Sequence, residues 1–142
     1  MTTTGDDLAI DTLIGRARHH SLSAMLRRSA LRQRDRTAIV CGDVTWSYTE
    51  LSRRVDRLAA GLRREGLQAG DRVAILARNS HAFIALRFAI ARADAVLVPI
   101  NFMLNAADVR YILDHSGARM RFADSTTIAT AREALVDSGE QL

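Results

Sequence analysis

An α/β architecture is the fold class this sequence predicts: a mostly parallel sheet with helices on both faces. Three observations carry the prediction. Helical periodicities alternate with short apolar runs from Thr45 to Asn101. The run Val73-Ala74-Ile75-Leu76 is apolar at every position, as a central parallel strand requires. Punctuation residues stand at the joints: Ser47 and Glu50 in the spacing of a capping box, then Gly66 and Gly70-Asp71. An N-terminal helix and a β-hairpin are expected before this alternation. The crossovers should be right-handed.

Taken in order, residues 1–20 read as a loose leader with Leu8, Ile10, Leu13 and Ile14 as their only apolar signal. Ser21 begins a short helix with Leu22, Met25, Leu26 and Ala30 on one face, and Arg27, Arg28 and Arg32 away from it. Such a helix is either a membrane-surface helix or an ordinary helix with a solvated outer face. The short stripe, without Trp or Phe, favours the second. Ala38–Cys41 and Val44–Trp46 read as strands around a Gly42-Asp43 turn. Cys41 is expected to be buried and slow to react. Trp46 and Tyr48 are expected to cover the edge of the next helix rather than stack on a ring ligand.

A helix from about Tyr48 to Glu65 places Leu51, Val55, Leu58 and Leu62 on one face. Its arginines at 53, 54, 57, 63 and 64 have no interleaved aromatics, which favours a solvated face over a nucleic-acid surface. Gly61 lies inside it, where close approach to a strand is the expected reason. Asn79 or Ser80 caps a helix running to about Ala93. Its apolar residues, Phe83 to Ile90, lie on more than one face, so protein should cover it. His81 in its first turn has no visible catalytic partner and reads as structural. Ala95–Ile100 is a second buried strand. Asn105 and Asp108 cap a helix carrying Val109, Ile112 and Leu113, closed by Gly117. Arg119–Phe122 alternates as a strand with one exposed face. Asp124-Ser125 caps a last helix with Ile128, Ala131, Leu135 and Val136, ended by Gly139.

Composition limits the function classes. The 142 residues are 48% hydrophobic and 25% charged, a globular balance. Arg87, Arg92 and Asp94 interrupt the most apolar stretch before the ~20 residues a membrane span needs. The start, Met1 to Asp7, lacks the basic opening of a secretory signal, and Cys41 is the single cysteine. Cytoplasm is the expected compartment. Every basic residue is arginine, and the formal net charge is +4. Seven arginines against Asp35 make residues 16–36 a basic segment, one able to meet phosphate or an anionic membrane.

Several motifs, in register, resemble a known family. Ser47-Tyr48-Thr49-Glu50-Leu51, Gly70-Asp71-Arg72-Val73-Ala74-Ile75-Leu76, Asn79-Ser80 and Val98-Pro99-Ile100-Asn101 resemble the opening signature of the AMP-forming acyl-CoA synthetases. These belong to the adenylate-forming superfamily, with luciferases and the adenylation domains of peptide synthetases. The resemblance runs from about Leu22 to about Asp124. It implies that 21–142 is an incomplete N-terminal α/β portion of the large domain, after the 1–20 leader. Against that pattern, prolines are missing around Gln33–Thr37, which predicts a looser turn. Asp94 replaces a common glycine and is expected to tolerate its left-handed backbone. Met103 replaces the arginine of N-x-R-L, which puts that residue's surface contact in question.

The resemblance implies an acid–thiol ligase. In its reaction a fatty or related carboxylic acid attacks the α-phosphate of ATP, with Mg2+, and CoA then displaces AMP from the acyl-adenylate. It also implies a Ser/Thr/Gly-rich loop ending in Pro-Lys-Gly and a late lysine, and the sequence contains neither. Phosphate-loop, G-x-G-x-x-G, paired metal-ligand and G-x-S-x-G motifs are also lacking, and His19-His20 diverge as neighbours. No residue is therefore assigned a catalytic, cofactor-binding or metal-binding role. Ser47, Glu50, Gly70, Asp71, Asn79, Pro99 and Asn101 match family positions with architectural roles. The chain alone is expected to bind no cofactor, to be inactive, to avoid nucleic acid and to self-associate through exposed apolar surface. The alternatives are a non-catalytic association module that dimerises or docks onto a ligase-like partner, and an independent nucleotide-binding domain, which the lack of a glycine-rich loop disfavours.

Overall fold

The computed structural model describes residues 21–136. The leader, His19-His20 and Gly139 lie outside these residues. The described chain runs α1 (Leu22–Gln33), β1 (Thr37–Cys41), β2 (Val44–Ser47), α2 (Tyr48–Arg64), β3 (Arg72–Leu76), α3 (His81–Arg92), β4 (Val96–Ile100), α4 (Ala106–Ser116), β5 (Met120–Ala123) and α5 (Ile128–Val136). β1 and β2 form an antiparallel hairpin. β3 lies at the centre of a parallel sheet ordered β4-β3-β5.

Strand alternation divides the core between two faces. Val73 and Ile75 point to a cluster with Leu51, Val55, Leu62 and Ile90 from α2 and α3. Ala74 and Leu76 point to Val109, Leu113 and Leu135 from α4 and α5. Burying each large aliphatic side chain stabilises by about 1.5–3 kcal/mol, so both faces of β3 contribute. Helices therefore cover both faces, as the apolar run in β3 implies.

Four helix starts are capped as their sequences suggest. Ser21, Ser47, Ser80 and Asn105 each accept a hydrogen bond from the third residue of the helix that follows. At α2 the box is reciprocal: Glu50 N–H donates to Ser47 Oγ at 3.2 Å, and Ser47 N–H donates to Glu50 Oε2 at 2.9 Å. That backbone bond from Ser47 is the main reason the Glu50 carboxyl sits below its usual range. Gly66 at φ +88° and Gly117 at φ +58° end α2 and α4 in the left-handed region, where a side chain is disfavoured. Asp94 takes the same role at φ +60° between α3 and β4, in keeping with its tolerance of that region.

The structure corrects several expectations. Leu58 is 40% exposed and Ala59 is buried in its place. At about 100° per residue, Leu51, Val55, Leu62 and Ala59 share one arc, and Leu58 falls just outside it. On α1 the buried face is Ser23 and Leu26, and Met25 is exposed. The stripe is turned toward Ser23, whose hydroxyl accepts a bond from Arg92. The Gln33–Thr37 turn is tied down rather than loose: Arg36 N–H donates to Gln33 O, Tyr48 N–H to Arg36 O and Thr49 N–H to Arg34 O. Cys41 is half-buried. The large apolar residues of α3 other than Ile90 are half-buried. β4 is an edge of the described sheet, with Val96 and Pro99 exposed. Proline suits an edge because it has no N–H to leave unpaired. β5 is half-buried throughout instead of alternating, and Val136 is exposed.

Gly61 makes no close approach, since a Cβ built there meets nothing within 4 Å. Gly61→Ala should therefore regain about 1 kcal/mol of helix propensity. Urea denaturation measures it, and a loss of stability would contradict the open surroundings of this position.

Candidate functional site

Parallel α/β sheets bind ligands at the carboxyl ends of strands, where successive crossovers diverge. Here that point lies between β3 and β5, because the chain passes from β3 to β4 on one side and returns past β3 to β5. The segments meeting there are 77–80 after β3 and 124–127 after β5. Both are short and polar, and the second opens helix α5.

The two segments are tied together by the chain's own carboxylate. Asp124 Oδ2 accepts the Arg78 N–H at 2.7 Å. Its Oδ1 accepts the Thr126 hydroxyl at 2.7 Å and the N–H groups of Thr126 and Thr127 at 2.9 and 3.0 Å. These bonds, the Thr126 hydroxyl first and the Arg78 N–H next, hold the Asp124 carboxyl well below the usual carboxylate range. Thr127 is buried, and its hydroxyl donates to Leu76 O at 2.5 Å, locking the start of α5 to the end of β3. The Arg78 guanidinium lies 4.6 Å from the centre of the Phe102 ring, which links β3 to the loop after β4. Met103, in the position of the family's arginine, is 78% exposed.

A triphosphate does not fit this arrangement. The N–H and hydroxyl donors it would need are taken by Asp124, and the sequence supplies no hydroxyl- and glycine-rich loop. Among the described residues, no group of three or more His, Cys, Asp or Glu is placed to hold a metal ion.

A second polar centre lies at the other end of α3, and periodicity gave no sign of it. Arg92 is buried and reaches both preceding helices. It donates to Ser23 Oγ at 3.1 Å, to Ser52 O at 3.2 Å and to Asp56 Oδ1 at 2.6 Å. Its partners come from α1 and α2, so it acts as a clamp on the helical layer, not as a reactive group. Arg63 donates to Arg92 O at 2.6 Å and pairs with exposed Asp94 at 3.7 Å.

The seven family-matching residues do not converge on one site. Ser47 and Glu50 form the capping box. Gly70 N–H donates to Asp94 O at 2.9 Å. Asp71 accepts the Gln68 N–H at 2.8 Å and faces Arg119 at 3.6 Å. Asn101 accepts the Met103 N–H at 3.0 Å. Asn79 and Pro99 are exposed. All of them shape turns, caps and edges. His81 packs edge-on against Trp46, with ring centroids 4.9 Å apart. Of the exposed arginines of α2, Arg54 stacks on Trp46 at 4.4 Å and Arg63 reaches Arg92 O and Asp94.

Known proteins share this frame. Residues 26–141 match the family described as AMP-binding enzyme. The chain is 43% identical over 101 residues to a feruloyl-CoA synthase of Amycolatopsis sp, covering 71% of this chain and 21% of that protein. It superposes on a Mycobacterium tuberculosis fatty acyl CoA synthetase with a TM-score of 0.77 and 32% identity, over 79% of this chain and 23% of that one. A benzoate CoA ligase from Burkholderia xenovorans LB400 gives a TM-score of 0.81 and 29% identity, over 86% of this chain and 25% of that one. The chain spans about a fifth of the length of the curated relatives it matches. The match over most of the chain, together with the shared fold, places this protein in the AMP-binding enzyme family, on the N-terminal α/β part of its acyl-CoA ligases.

Proposed function

We propose that residues 21–142 are the N-terminal scaffold of an AMP-forming acid–CoA ligase that activates a fatty or related carboxylic acid through an acyl-adenylate. The relatives, a feruloyl-CoA synthase, a benzoate CoA ligase and a fatty acyl CoA synthetase among them, support that substrate class. They favour no single acid or chain length. ATP, Mg2+ and CoA are the expected partners of the whole enzyme, and the expected compartment is the cytoplasm.

The chain by itself is proposed to be inactive. One observation supports this: Asp124 already accepts the N–H groups of Arg78 and Thr127 at the crossover point, so these donors are not open to a phosphate. The lack of any lysine to neutralise a reacting carboxylate and phosphate agrees with it. The test is pyrophosphate release with ATP, magnesium and a panel of fatty and aromatic acids. No release above a buffer blank is expected. Turnover that survives repurification would overturn the reading.

The association reading has its own support. β5 pairs on one side only among the described residues, and Phe102, Met103 and Tyr111 are exposed. An open strand edge templates further pairing. β4 is the poorer edge, because Pro99 interrupts it. Self-association through β5 is expected, with light scattering rising along a dilution series. A clean monomer at high concentration contradicts it.

A further inference from the structure

A groove of about 720 Å³ runs between the second half of α1 and the first half of α2. Arg27, Leu31 and Arg34 line it on one side, Arg53 and Asp56 on the other. It lies on the flank of α2 away from the open β5 edge, because Arg54, Arg57 and Leu58 occupy the flank toward Phe122 of β5. Leu31 is a large apolar side chain, yet it is 73% exposed.

The groove is positive. Arg27 and Arg34 join no ion pair or side-chain hydrogen bond among the described residues. Arg53 faces the Glu50 carboxylate, which the helix cap also holds. Asp56 is taken by Arg92 at 2.6 Å, which leaves Asp35 as the acid of the groove against three cations. Arg34 is fixed there despite a backbone φ of +24°, where a side chain is disfavoured. The Thr49 N–H and hydroxyl both donate to its carbonyl, at 3.0 and 3.1 Å.

The same chain carries a matching segment outside the described residues. Asp6, Asp7 and Asp11 are interleaved with Leu8, Ile10, Leu13 and Ile14, and residues 1–15 hold no basic side chain. Residues 15–20 join this segment to α1. Six residues reach about 20 Å when extended, and α1 advances about 18 Å from Leu22 to Arg34, so the segment can reach the whole groove. The covalent link keeps it at high local concentration.

We propose that residues 6–14 dock in this groove of their own chain. Their carboxylates meet Arg27, Arg34 and Arg53, and their apolar side chains cover Leu31. A compact free anion is a poorer occupant, because Asp35 and Asp56 also line the groove. This inference does not rest on the ligase reading.

The test places a nitroxide at Ala9→Cys of the full chain, with Cys41→Ser so that one thiol remains. The amide signals of Ala30, Leu31 and Ser52 should broaden, and that of Leu113 on the opposite face of the sheet should stay sharp. Substituting Asp6→Asn, Asp7→Asn and Asp11→Asn together should reduce the broadening at Leu31 about fivefold. Arg27→Gln combined with Arg53→Gln should do the same, as should 1 M NaCl, where charges are screened within ~3 Å. The aspartate variant leaves every groove residue unchanged, so its result stands whether or not the arginine variant folds. A merely tethered segment would give broadening that ignores charge and salt, and that result overturns the inference. So does broadening of Leu31 when nitroxide-labelled chain is mixed with isotope-enriched chain lacking the nitroxide, since a second copy would then supply the segment.

Discussion

Replacing Asp56 with alanine is expected to lower stability by about 2–4 kcal/mol. Arg92 keeps its serine acceptors in this variant but loses the one carboxylate that compensates its buried charge among the described residues. The Arg92 side chain is 3% exposed and that of Asp56 is 57% exposed. Solvent therefore screens part of the pair, which places the estimate at the lower end for broken buried pairs. Arg92→Met should cost less, about 1–2 kcal/mol. It removes the buried cation together with its desolvation, leaves Asp56 free to be hydrated, and keeps an apolar stem against α1 and α2. At roughly 3–5 °C per kcal/mol for a chain of this length, Asp56→Ala should lower Tm by about 10 °C. The order of the two variants is the informative result. If Arg92→Met proves the more damaging, hydrogen bonds to Ser23 and Ser52, rather than charge compensation, hold the helical layer together.

Replacing Asp124 is expected to have the next largest effect, about 2 kcal/mol at neutral pH. Asp124→Asn keeps the shape of the side chain but removes the charge that the Arg78, Thr126 and Thr127 donors converge on. Because the folded state favours the ionised form, the carboxyl titrates below its ordinary value of 3.8 when folded. Its contribution is then complete above about pH 4 and is lost as the pH falls further. The stability gap between wild type and Asp124→Asn should be flat from neutral pH down to about 5 and should close in acid. The Glu50 carboxyl is lowered in the same direction, so wild-type acid lability alone does not isolate Asp124. The gap between the two proteins does, because Glu50 is common to both. A gap that widens as the pH falls would contradict the hydrogen-bonded site.

What the sequence made legible follows from how local each cause is. Caps at Ser47 and Ser80 depend on a few neighbouring residues and are readable. So is the double-sided burial of β3, since every position in Val73–Leu76 is apolar. Asp94 could be placed in the left-handed region only because the family resemblance marked a glycine position there. The clamp at Arg92 was not legible, because its partners lie 36 to 69 residues away and an arginine in a helix ordinarily reads as solvated. The status of β4 as an edge depends on which strand lies beyond it, and Val96-Leu97-Val98 looks the same in either place. Leu58 illustrates the limit of periodicity: a residue at the flank of an apolar arc can face the core or a groove, and only the neighbouring elements decide which. The family motifs themselves were legible from the resemblance, and in the structure Ser47, Glu50, Gly70, Asp71 and Asn101 take part in cap and turn hydrogen bonds. The tie that Asp124 makes at the crossover point was not legible, because Arg78 is 46 residues away in sequence.

The central claim is that residues 22–136 form an exchangeable scaffold of an acid–CoA ligase. The most direct measurement is thioester formation by a chimera. In it, this chain's residues replace the matching 101-residue stretch of the Amycolatopsis feruloyl-CoA synthase. The account predicts a folded, monodisperse chimera that still forms feruloyl-CoA, with the relative's remaining sequence supplying the chemistry. A chimera that folds equally well but forms no thioester, while the parent synthase does, would contradict it.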